Sequence, residues 1–196
     1  MLLKKMVIPV ATGLLVASAV VWAVEEQYDE NRERDMTERA PVDLAKAIDV
    51  AERATGGVAL EAGAEVEHGR SYYEVTAHTG TADDRIRVSA STGKVMNTKR
   101  LSAAGHEHQR AGRLPSGAER SMLADAVRRA ETRIGGKAME AELDRKDGKL
   151  VYRIELAQGK EIRKITVDGR DRTVSSAGAM SHKHGAGEND AGVDVD

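Results

Sequence analysis

The chain has 196 residues, 40% hydrophobic and 32% charged, with 30 basic against 32 acidic residues and a formal charge of −2. That balance describes a soluble chain of one domain or two small ones; it excludes a helical membrane bundle and a concentrated basic surface for nucleic acid. Cysteine is absent, which excludes disulfides, thiolate metal sites, a cysteine nucleophile and a lipidated cysteine, and with no Phe, one Trp and four Tyr any core is built thinly from Ala, Val, Ile, Leu and Met.

The first predicted element is an export segment, residues 1–24. Lys4 and Lys5 precede an uncharged apolar run from Met6 to Val24, and Val21-Trp22-Ala23 places short residues at −3 and −1 of a cleavage position. Two readings stay open, a cleaved signal peptide and an uncleaved membrane anchor; both put the rest of the chain outside the cytoplasm, in the periplasm, the cell envelope or the medium. Residues 25–40 (EEQYDENRERDMTERA) hold few large apolar groups and read as a charged spacer, in part helical.

An internal repeat follows. Laid over itself at a shift of 79 positions, without a gap, the chain matches Leu44 to Leu123, Ala47 to Ala126, Ala51 to Ala130 and Glu52 to Glu131. Gly56-Gly57 meets Gly135-Gly136, Gly69 meets Gly148, Tyr73 meets Tyr152, and Ile86 and Val88 meet Ile165 and Val167. Coincidence of glycine pairs, a tyrosine and the apolar pattern marks a duplicated unit.

Each copy opens with a helical period. Leu44, Ala47, Ile48 and Ala51, like Leu123, Ala126, Val127 and Ala130, line one face of an amphipathic helix. Asp43 and Ser121 are the expected N-caps, and the glycine pairs the expected stops. The period then drops to two: Tyr73, Val75 and Ala77 face one way, Tyr72, Glu74, Thr76 and His78 the other, and Tyr152, Ile154 and Leu156 repeat the apolar side. Gly69 and Asp147-Gly148 mark hairpins, and short last strands are predicted at 94–98 and 172–176.

The predicted fold is α+β: two tandem modules, each one helix packed on a three- to four-stranded antiparallel sheet, preceded by the N-terminal apolar signal or anchor helix. Module 1 spans 41–100, a linker 101–118, module 2 119–176, and a small polar tail 177–196 is expected to be disordered. Units of about 60 residues bury little, so the copies are expected to support each other or to pair as a homodimer.

The segments DLAKAIDVAERATGG…VALEAGAEVEHGRSYYEVTA…RIRVSASTGKV and LADAVRRAETRIGGKAMEAELDRKDGKLVYRIEL…IRKITVDG resemble PepSY domains in the order of apolar-Ala helix, terminating glycine, hairpin and final strand–turn. The resemblance implies an extracytoplasmic module that brings no catalytic residues; such domains occur in metallopeptidase propeptides, where inhibition is their expected role, and in secreted or membrane-anchored proteins. Ser89 stands where the second copy has the more usual Asp168, and the second copy lacks the full Thr-Gly-Lys turn. No peptidase domain follows, so a propeptide acting in cis is not expected.

Chemistry-bearing motifs are few. No H-E-x-x-H, G-x-S-x-G, phosphate loop or dinucleotide fingerprint occurs, His68 and His78 have no nucleophile at a recognisable spacing, and Asp83-Asp84 sit in a turn, so neither an enzyme nor a cofactor is expected. The leading expectation is a protein- or peptide-binding module that regulates or inhibits a secreted or envelope peptidase, with Tyr72, Glu74 and His78 on the polar sheet face as partner contacts and the edge strands open to β-augmentation. The alternative is metal binding or sensing through two H-x-H pairs, His106 with His108 and His182 with His184, set against plain solvated histidines. No nucleic acid is expected as a partner, and a membrane only through an uncleaved N-terminal segment.

Overall fold

Amphipathic helices and alternating strands are each apolar on one side, so they become stable only when those sides meet. The computed structural model of the chain describes residues 30–80, 82–101 and 122–179, the last three without side chains; the export segment, Ser121, nearly all of the linker and the tail lie outside them. Helix α1 covers residues 30–39. Module 1 continues with α2 (Leu44–Thr55), β1 (Val58–Glu67), β2 (Arg70–His78), β3 (Asp83–Ser89) and β4 (Val95–Arg100). Module 2 repeats the order with α3 (Leu123–Ile134), β5 (Lys137–Lys146), β6 (Lys149–Gln158), β7 (Glu161–Asp168) and β8 (Val174–Ala179).

The expected pair of small sheets is instead one antiparallel sheet of eight strands, in the order β4-β3-β2-β1-β5-β6-β7-β8. The first strand of each module pairs with the first strand of the other, and the two helices pack side by side on the same face. Ala62 lies opposite Ala141, its own counterpart 79 residues on; Glu61 faces Glu142 and Gly63 faces Glu140. A pseudo-twofold axis therefore passes between Ala62 and Ala141. Joining satisfies two strand edges that two separate modules would leave unpaired. It also merges two thin cores into one buried cluster, from Leu44 and Ile48 through Tyr73 and Val75 to Leu143, Tyr152 and Ile165. The final strands begin one to two residues later than predicted and run on past their predicted ends, so residues 177–179, expected in the disordered tail, complete β8.

The residues that repeat do so for local physical reasons. A β-bulge interrupts the ladder at Leu60 and, in module 2, at Met139. Beside each bulge a helix glutamate reaches down to the strand: Ala59 N–H donates to Glu52 Oε1 and Ala138 N–H to Glu131 Oε1, both at 2.9 Å. Tyr73 and Tyr152 are buried on the apolar face, and each hydroxyl ties the sheet to the segment entering its helix. Tyr73 Oη donates to Val42 O at 2.9 Å, whereas Tyr152 Oη accepts from Met122 N–H at 3.2 Å.

The charged spacer is not a free tether where it is described. In α1, Thr37 is buried, Met36 packs against the shared core, and Glu38 Oε1 accepts from Gly159 N–H at 2.9 Å in the β6–β7 turn. A segment entering module 1 thus also fastens module 2.

Candidate binding surfaces

The helices cover one side of the sheet; the other is the candidate surface that alternation predicted. Its midline is acidic. Glu61, Glu65, Glu140, Glu142 and Glu155 project from the central strands on this side, because they alternate with the apolar residues facing the helices. Basic groups from flanking positions answer them: Arg153 Nη2 bonds Glu142 at 2.7 Å and its Nη1 meets Asp144 at 2.6 Å, while Lys164 reaches Glu155 at 2.7 Å. Among the described residues no cation is paired with Glu140, and the charge of Lys164 acts on it only weakly. Loss of hydration, then repulsion from Glu155, Glu61 and Glu142, pushes its carboxyl above the ordinary value. Glu65 is raised in the same way, by lost hydration and then by Glu74.

The three predicted contact residues lie together on β2, on this side of module 1, but each is held internally. Tyr72 is only 3% exposed, which corrects the expectation of an exposed aromatic. Alternation assigns its face correctly; what it does not reveal is the layer of long side chains from neighbouring positions that closes over the ring. The Arg87 guanidinium lies 4.6 Å from the ring centroid, and Tyr72 Oη donates to Glu67 Oε2 at 2.9 Å. Burial and that hydrogen bond push the hydroxyl up to about 12, while the same bond and the Arg87 charge hold Glu67 below the usual carboxylate range. Glu74 is clamped by Arg85 and Arg87, each at 3.0 Å. His78 Nδ1 sits 2.8 Å from Oδ1 of buried Asp83. The structure thus brings the three residues onto one face, each already engaged with a neighbour within module 1.

The four histidines of the H-x-H pairs lie outside the described residues. Among the described residues, no group of three or more His, Asp or Glu is arranged to hold a metal ion, and no helix is long and apolar enough to cross a membrane.

Sequence reasoning expected open edge strands; which strands form the sheet's rim, and what they carry, it missed. Since β1 and β5 pair with each other, β4 and β8 are the two outer strands. Every residue of β4 is exposed, and Val95 and Met96, at 40% and 45%, are the exposed large hydrophobic residues among those described. Alternating burial is the usual signal of a strand, and β4 shows none, so its sequence carries little sign of what it presents. Its basic residues Lys99 and Arg100 stand at the C-terminal end, where Arg100 Nε bonds Asp84 Oδ1 at 3.1 Å.

Two segments of the chain, residues 41–99 and 123–171, match the PepSY family, described as the peptidase propeptide and YPEB domain. Among solved structures, a crystal structure from Clostridium difficile 630, described as that of a candidate lipoprotein, aligns at 18% identity over 74% of this chain and 97% of its own, with a TM-score of 0.46. No curated protein matches.

Proposed function

The chain belongs to the PepSY family, with two copies of the domain in tandem, and from that premise we propose that it is an extracytoplasmic binding module without catalytic activity. Its ligand is an extended segment of a protein or peptide, and through that segment it restrains or senses a secreted or envelope peptidase. Export rests on the apolar run of residues 6–24, and the peptidase on the family's description.

The observation that carries this reading is the β4 edge. An outer strand presents a row of main-chain donors and acceptors with no neighbour to take them, and an incoming strand gains affinity from that ladder. Side chains on alternate positions then supply selectivity. Val95 and Met96 give such a ligand apolar contact beside the ladder, and methionine adapts to varied partners. Lys94, Lys99 and Arg100 flank them, which discourages edge-to-edge self-association while leaving the strand open to a chosen partner.

The test is selection of extended peptides against the exported chain, followed by hydrogen-exchange mapping and by assay of secreted metallopeptidases. Protection of the amides of residues 95–100, together with loss of both peptide retention and inhibition in Met96→Asp, is the expected result. Failure to retain any peptide, or protection confined to other strands, would contradict it.

A further inference from the structure

Away from both the open sheet face and β4, the outer side of α3 forms one wall of a groove. The opposite wall is the turn that leads into β8, and the space between them is about 760 Å³. Four arginines line it, Arg128, Arg129 and Arg133 from the helix and Arg172 from the turn, against a single carboxylate, Asp125. That carboxylate is already engaged: Arg128 Nη1 bonds Asp125 Oδ1 at 3.0 Å, and Arg172 Nη1 stands 3.9 Å from its other oxygen. Arg128 also pairs with Asp49 of α2. Arg129 and Arg133 are one helical turn apart, both exposed, and have no acidic partner among the described residues. Like charges at this spacing repel one another in a bare helix.

The fold does not require this charge. The module 1 positions 79 residues earlier carry Asp49 for Arg128, Val50 for Arg129 and Ala54 for Arg133, and α2 packs in the same way. Nor does the pattern extend to the sheet, where Arg85, Arg87, Arg153 and Lys164 each meet a carboxylate within 3.1 Å. A cluster of four guanidinium groups, two of them unanswered, in an open depression is suited to an anion, and their planar forks match carboxylates two bonds at a time. The neighbouring strand decides which anion. Val174 both lines the groove and begins β8, whose outer edge is the far rim of the sheet. A polypeptide can bring carboxylates to the arginines and main-chain groups to that edge together; a lipid surface carries phosphates but no main-chain groups for the strand.

We propose that this groove is a docking site for an acidic, carboxylate-rich polypeptide segment, separate from the β4 edge and independent of what binds there. The experiment is fluorescence anisotropy of a labelled decaglutamate peptide titrated with the full chain, alongside a lysine peptide and vesicles of phosphatidylglycerol. The glutamate peptide is expected to bind, to weaken as salt screens the contact, and to lose at least about tenfold in affinity in the pair Arg129→Glu with Arg133→Glu. The milder pair Arg129→Gln with Arg133→Gln, checked for native circular dichroism, should show a smaller loss, and Met96→Asp none. Absence of glutamate-peptide binding, undiminished binding in the charge-reversed pair, or vesicle binding that alone depends on these arginines would each overturn the proposal.

Discussion

Module 1 and module 2 share their framework and differ in what they show to solvent. At equivalent positions both use a helix glutamate to satisfy the main chain at a strand bulge, a buried tyrosine to tie sheet to helix entry, and an alanine at the seam. Elsewhere they diverge. Asp43 caps α2 through Lys46 N–H at 2.7 Å, whereas Met122, at the same place before α3, gives no side-chain cap. Gly56 ends α2 in the left-handed conformation, at φ 67 and ψ 10; Gly135 ends α3 with φ 87 and ψ 174, a region open chiefly to glycine. Module 1 places an ion pair, Asp84 with Arg100, where module 2 has Arg163, whose Nε is buried without a hydrogen-bond partner. The lesson is a division of labour. What repeats at the same spacing holds the sheet together, and what does not repeat, the exposed Met96 on β4 in one half and the arginine groove in the other, carries the two proposed docking sites.

The sharpest way to break the comparison is to empty the core from one half. Tyr73→Ala and Tyr152→Ala should each cost about 3–5 kcal/mol, because each ring is lost from a packed core that barely relaxes. Since that core is shared, either substitution should lower one common unfolding transition, read by urea titration with far-ultraviolet circular dichroism. Two separated transitions, only one of them shifted, would show independent modules.

A smaller effect separates two glycines at the helix exits that the repeat does not align, the second of the pair at the end of α3 and the first of the pair at the end of α2. Gly136→Ala would place a Cβ 2.4 Å from Ala157 O at a φ of 87, so the main chain itself must move. Gly56→Ala, at a φ of 67, meets nothing within 4 Å. The first should cost upwards of about 2 kcal/mol and the second about 1 kcal/mol, a difference visible in Tm. Alike in both halves, Glu131→Ala and Glu52→Ala should each cost about 1–2 kcal/mol by removing the acceptor at the bulge.

The least effect comes from the acidic midline and has the opposite sign. Glu140 binds its proton more tightly folded than unfolded, so the folded chain holds more protons in the window from the ordinary carboxylate value upward. Stability should therefore fall as pH rises through that window. Glu140→Gln should raise Tm slightly at neutral pH and flatten the profile, with no gain at pH values below the ordinary carboxylate range. Melting curves across pH will check both.

Much of the framework was legible in the sequence because it rests on period and repetition. The apolar faces of α2 and α3, the buried tyrosines, Asp43 as a cap and the hairpin glycines all follow from spacing within a few residues. The seam did not, since Ala62 and Ala141 look like any core alanine until two distant strands are placed side by side. Glu52 and Glu131 showed their repetition but not its cause, a main-chain group seven residues on. Tyr72 was placed on the right face and misjudged in exposure, because its cover comes from Arg87 on the next strand. Arg129 and Arg133 read as the polar side of a helix; only the fold adds Arg172, some forty residues away, and makes them a groove.

Everything proposed about free edges depends on β1 and β5 being joined. Native-state hydrogen exchange across the seam measures that junction directly. The amides of β1 and β5 that pair around Ala62 and Ala141 should exchange only through global unfolding, with the same free energy as the amides beside Tyr73 and Tyr152. Faster exchange confined to β1 and β5, with each module protected by itself, would mean that the sheet parts at its centre and that four edges, not two, face the solvent.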